Sequence, residues 1–137
     1  MDRSTFSLVG YHFDRVVIDF QNQTDDKHWI VSIHPKGVYN ESSGEYKLQF
    51  IFEGRLGESE NSPYIMTQCN ALFKFSVPLK LDEIPSYFYP NSIAIVFPYV
   101  RSFVSTVTLQ ANLIPVILPT YNLSSLKEEL IHQTSLS

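Results

Sequence analysis

Polar and apolar residues alternate through most of the first half of the chain. In Thr5 to Val9, Phe6 and Leu8 flank polar Ser7; after Gly10, where a kink is expected, Val16, Ile18 and Phe20 alternate with Arg15, Val17 and Asp19. Trp29, Val31 and Ile33 make a short run that stops before Pro35. The cleanest alternation is Glu45 to Glu53, where Tyr46, Leu48, Phe50 and Phe52 oppose Glu45, Lys47, Gln49 and Glu53. Tyr64 to Val77 then places Ile65, Thr67, Cys69, Ala71, Phe73, Phe75 and Val77 on one side. A period of two with one wet face is the pattern of an antiparallel sheet that buries one side. The turn-rich segments Asn40 to Gly44 and Gly54 to Pro63 separate these runs, and the second, with Glu58 and Glu60, is expected to be mobile. Such short links exclude parallel crossovers, which need a dozen residues or more.

The period changes near residue 90. Apolar positions fall at 93, 96, 97, 100, 103, 104, 107 and 111, with polar pairs Arg101-Ser102 and Ser105-Thr106 between them. Steps of three and four predict an amphipathic helix with Asn91 as N-cap and Pro90 outside it. Pro98 should kink it or confine regular hydrogen bonding to the part after it. Asn112 to Pro119 carries two prolines and reads as a connector. Ser125 and Glu128 have the spacing of a capping box, and Leu123, Leu126, Leu130 and Ile131 line one face of a short last helix. The tail from Gln133 is expected to fray.

Composition narrows the function. At 137 residues, 44% hydrophobic and 18% charged, the chain suits one domain, residues 1–137, with a full core. Ten Phe and eight Tyr exceed what a small monomer needs inside, which points some rings toward a partner. A net charge of −4 with no Lys/Arg run leaves no footprint for nucleic acid. The lone Cys69 excludes an internal disulfide and fits a reducing compartment. No uninterrupted apolar run has signal-peptide form or approaches the ~18 residues of a membrane span. These features predict a cytoplasmic chain with no membrane insertion.

Catalytic signatures do not emerge. His12, His28, His34 and His132 are scattered without metal-ligand spacing, and one cysteine cannot build a Cys-rich zinc site. His12 and Asp14 could share a strand face and touch a metal, but both read more simply as surface residues. The five glycines form no phosphate loop, and there is no Gly-x-Ser-x-Gly elbow. Cys69 lies among apolar neighbours, as a small core residue rather than a nucleophile. No enzyme, metal or cofactor is predicted.

The stretch PNSIAIVFPYVRS and the residues after it resemble the C-terminal half of the bacterial export chaperone SecB and SecB-like proteins. The matching positions are Pro90, Asn91, Phe97, Pro98, Tyr99 and Arg101, then Pro115 and the helix start at Asn122 to Leu126, with a weaker echo in TFSL, Thr5 to Leu8. The resemblance implies an α+β fold: a four-stranded antiparallel sheet, a crossover loop, one long helix and one short C-terminal helix. It implies a dimer or a dimer of dimers (a homotetramer) that holds unfolded polypeptides without covalent chemistry or cofactor. The implied groove runs along Ser76 to Pro90, lined by Val77, Leu79, Leu81, Ile84, Tyr87, Phe88 and Tyr89, with Leu123, Leu126 and Leu130 opposite. Arg101 is implied to be structural, hydrogen-bonded where the helix meets the sheet or a neighbouring subunit.

The departures are specific. Export members dock the translocase ATPase through acidic residues on the exposed sheet face. Here Asp19 keeps one acid, but Arg15 replaces its partner, and Tyr64 and Met66 stand where a leucine and a glutamate belong. The tail HQTSLS has no carboxylate side chain. Motor docking is therefore expected to be weak or absent, and a client dedicated to this protein, such as an antitoxin, is an alternative to pre-secretory clients. A small-ligand-binding or structural role on the same scaffold is a further alternative.

Overall fold

The computed structural model describes residues 5–19, 21, 29–57, 63–112 and 123–137. Its elements are β1 (Phe6–Ile18), β2 (Trp29–Asn40), β3 (Glu45–Leu56), β4 (Ile65–Phe75), α1 (Phe88–Gln110), α2 (Lys127–His132) and β5 (Thr134–Leu136). They form an α+β fold in which the sheet order is β1-β4-β3-β2-β5. The four long strands pair antiparallel, and β5 joins β2 in parallel. Residues 58–62 of the predicted loop Gly54 to Pro63, residues 113–119 of the connector Asn112 to Pro119, and Asn122 at the expected helix start lie outside the described residues.

Alternation decides which face is buried. Tyr46, Leu48, Phe50 and Phe52 of β3 and Ile65, Thr67, Cys69, Ala71, Phe73 and Phe75 of β4 all face the core. The kink expected near Gly10 is a register shift between Leu8 and Gly10, and a second lies between Phe13 and Arg15. Each bulge inserts one residue, which keeps Phe6 and Leu8, Phe13, and then Ile18 packed against the core despite the broken period.

Three boundaries of the sheet differ from those read off the sequence, each for a physical reason. The run at Trp29 does not stop at Pro35: Pro35 pairs with Phe50, and the parallel pairing to β5 starts only at Gly37. A proline is tolerated there because it needs no donor on the outer side of an edge. The strand of Glu45 to Glu53 continues through Gly54 to Leu56, where a Cβ at Gly54 would crowd Trp29 and Ile65. The tail does not fray: the Gly37 N–H donates to the Gln133 carbonyl at 3.2 Å and the Ser137 N–H to the Tyr39 carbonyl at 3.0 Å. Gly37 permits this crossing, since a Cβ there would overlap the Tyr46 ring and hydroxyl.

The long helix begins three residues before the predicted cap. Pro90 is its third residue, where a missing N–H costs nothing because the first-turn donors have no intrahelical partner. The helix runs on through Pro98, which is exposed, as is Ala94, whose carbonyl loses its partner. It ends on Asn112 in the left-handed region, φ 64°. By length and composition α1 could cross a membrane, a property hidden from a search for uninterrupted runs by its spaced polar residues. Here it lies over the sheet with Ile93, Val96, Val100 and Val104 fully buried. α2 starts at Lys127 after a 3₁₀ turn, Leu123–Leu126, so that Leu126 stands at its N-cap and the predicted cap Ser125 lies inside the 3₁₀ turn.

Candidate functional site

The segment between β4 and α1 is short of regular structure, and side chains supply several of the hydrogen bonds that hold it. Tyr39, at the end of β2, accepts from the Leu79 N–H at 3.1 Å and donates to the Leu79 carbonyl at 2.7 Å. The Leu81 N–H donates to Glu41 Oε2 at 2.8 Å. The Lys80 N–H donates to Glu83 Oε1 at 2.8 Å, closing a 3₁₀ turn over Leu81–Glu83. Burial pushes the Tyr39 phenol above its ordinary pKa, so it stays protonated and can serve both bonds. The segment is thereby held in place while its side chains remain available.

The predicted groove residues divide into two sets. Phe88 and Leu130 are fully buried, and Ile84, Tyr89 and Leu126 nearly so. These five are core, because the ring of Phe88 sits among Phe6, Tyr46, Phe73 and Phe75. Val77 and Tyr87 are open to solvent, at 56% and 48%, and Leu79, Leu81 and Leu123 are half-buried on the rim of the core. Both sides of the predicted groove are tied to one hairpin end. Tyr39 holds Leu79, while its cross-strand neighbour Tyr46 places its hydroxyl 2.6 Å from Thr134 Oγ1, just beyond α2. Thr134 in turn donates to the Leu130 carbonyl at 2.7 Å.

The signature residues act through packing. Phe97 is buried against Phe50, Tyr99 stacks on Tyr11 at 4.3 Å between centroids, and Pro90 is half-buried. Asn91 is exposed, within the first turn rather than capping it. Arg101, expected to be structural, is exposed on α1, its guanidinium 6.0 Å from the Phe97 ring centroid, in cation–π range.

Asp19 lies just past β1, half-buried, its Oδ1 accepting from the Gln21 N–H at 3.0 Å. Tyr64 is buried beside Trp29, and Met66 is half-buried. Asp14 occupies the second bulge of β1 and accepts from Gln68 Nε2 at 3.0 Å and Asn70 Nδ2 at 2.8 Å. Among the described residues no three His, Cys, Asp or Glu gather as a metal cluster. Burial, then the nearby Asp14 carboxylate, push the Cys69 thiol up to about 11, far from a nucleophile's range.

Sequence reasoning missed Tyr39 and Glu41, which hold the crossover, and the strand made by the tail. A tyrosine ending an alternating run just before the Asn40 turn was the available signal for the first. For β5 only Thr134-Ser135-Leu136 itself was available, too short to stand out.

No protein-family model matches the chain. Over 46 residues it is 46% identical to an uncharacterized protein of Methanocaldococcus jannaschii, a segment that is 34% of this chain and only 30% of that relative's length. In structure it is similar to the Mycobacterium tuberculosis SecB-like chaperone Rv1957, solved in complex with a ChAD peptide from the HigA1 antitoxin, with a TM-score of 0.69 at 14% identity over 85% of this chain and 90% of that one. A Streptococcus agalactiae protein of unknown function, 12% identical over 87% of this chain and 100% of that one, has a TM-score of 0.39 and carries no argument. With its antiparallel strands followed by a long and a short helix, this chain has the SecB-like fold.

Proposed function

We propose that the protein is an ATP-independent holdase chaperone, which keeps unfolded polypeptide from aggregating by seating it on the crossover segment. The observation that carries this reading is the exposed apolar strip of Val77 and Tyr87, continued by half-buried Leu79, Leu81 and Leu123, on a backbone pinned by Tyr39 and Glu41. Solvent-exposed apolar side chains held on a fixed backbone favour binding, because little ordering entropy is lost when an extended client docks. The SecB-like fold supports the same reading, and holding a client requires no covalent chemistry. The lone buried thiol suits a cytoplasmic setting.

A client dedicated to this protein is the second reading, favoured by the similar chaperone solved with an antitoxin peptide. Translocase-ATPase docking at Asp19 has less support, since that carboxylate is half-buried and turned onto the Gln21 N–H. Self-association is part of the proposal: α1 exposes the apolar side chains of Ile95 and Leu109. The test is suppression of light scattering from a chemically unfolded client at stoichiometric ratio without nucleotide. Suppression is expected; aggregation at the rate of the client alone would refute it.

A further inference from the structure

We propose that the open face of the sheet is a second docking surface, independent of the crossover strip, for a partner's amphipathic helix whose acidic residues flank an apolar stripe. The face opposite α1 carries a trough of about 650 Å3. Gly10, Leu72, Lys47 and Val38 lie abreast across its floor on β1, β4, β3 and β2, with Val9 beside Gly10 in the first bulge. Val9 is 58% exposed, an apolar side chain left in water by the bulge.

Charge selects the occupant. Lys36 and Lys47 line the trough one strand and two residues apart, a diagonal pair on one face, and no carboxylate among the described residues lines it. Of the nearby described acids, Asp14 accepts from Gln68 and Asn70, while Glu45 lies opposite Lys74 and lines a small neighbouring hollow of about 60 Å3 beside Lys47. A doubly positive apolar hollow on a chain of net charge −4 attracts an acidic, apolar ligand. Two lysines are far short of the ~6–10 phosphate contacts typical of polynucleotide binding.

Shape selects a helix. Three spacings of about 4.8 Å make the trough roughly 14 Å wide, enough for a helix about 10–12 Å across. An added strand would seek a free sheet edge rather than a face whose main-chain groups are already paired. Gly10 leaves the trough open, since a Cβ there would meet nothing within 4 Å and its φ is not in the left-handed region.

The probe is a fluorescein-labelled helical peptide of about 18 residues, with a Leu/Phe stripe flanked by Glu, and an analogue with Lys for Glu. Both are titrated with the full chain and followed by anisotropy. The acidic peptide should bind at least about tenfold more tightly than the basic one, whose apolar stripe can still reach the crossover strip. Lys36→Glu/Lys47→Glu should weaken binding at least about tenfold, and Gly10→Trp should block it with an unchanged circular-dichroism melt. Val77→Ser/Tyr87→Ser should leave it intact, which separates this surface from the crossover strip. Equal binding of both peptides, or indifference to the lysine reversals, overturns the proposal. So does loss only in the Val77/Tyr87 variant, or an oligonucleotide that binds where the acidic peptide does not. A fall in assembly mass on lysine reversal, with no peptide binding, would also overturn it by making this face a contact between copies.

Discussion

Replacing Phe88 by alanine separates a core ring from a client-facing one. Phe88 has no accessible surface, and its ring centroid lies 4.8 Å from those of Phe6 and Tyr46, 4.9 Å from Phe75 and 5.7 Å from Phe73 and Tyr89. Truncating a buried phenylalanine costs about 3–5 kcal/mol in lost transfer energy plus the cavity left behind. Edge-to-face pairs add about 0.5–1.5 kcal/mol each when taken singly, though not additively. The upper half of the range, about 4–5 kcal/mol, is therefore expected, against a total of about 5–15 kcal/mol for a domain. The neighbouring Tyr87→Ala, at a position 48% exposed, should cost no more than about 1 kcal/mol. Urea unfolding followed by far-ultraviolet circular dichroism, at fixed protein concentration so that assembly does not confuse the comparison, measures both. A cost below about 1 kcal/mol for Phe88→Ala would refute the core assignment and return the ring to the client-binding surface.

Thr67 lies between Val16 and Phe52 across the strands, its hydroxyl buried and without a hydrogen-bond partner among the described residues. Thr67→Val keeps the shape and removes that unpaired group, so stability should rise by about 1 kcal/mol, read as a higher urea midpoint; a loss of that size would mean the hydroxyl has a partner. In light scattering at micromolar concentration, the exposed apolar face of α1 predicts a mass at least twice 15.8 kDa, and a species of 15.8 kDa would contradict it.

The sheet was legible because its residues are locally consistent. In β3 and β4 each inward position is apolar or small and each outward one largely polar, so the period marks both the strand and the buried face. What escaped the sequence depended on neighbours. Whether Pro35 ends a strand depends on whether a donor is needed there, which the late start of β5 decides. Whether Phe88 faces a client or the core depends on rings up to 82 residues away, such as that of Phe6. Arg101 has apolar sequence neighbours, yet it is exposed beside the buried stripe of Phe97, Val100 and Val104. The trough is invisible in one dimension, since register alone brings Gly10, Leu72, Lys47 and Val38 abreast. The strip on the crossover was partly legible: Val77, Leu79, Leu81 and Tyr87 stood out, but nothing in the sequence told them apart from Ile84 and Tyr89 beside them.

The central claim is that exposed side chains of the crossover hold the client. The most direct measurement compares aggregation suppression by the wild-type protein and by Val77→Ser/Tyr87→Ser, a pair exposed enough to change without loss of fold. The account predicts that the variant melts like the wild type and needs at least about tenfold more protein for equal suppression, as expected when exposed apolar anchors carry the binding. Suppression undiminished in a correctly folded variant would contradict it.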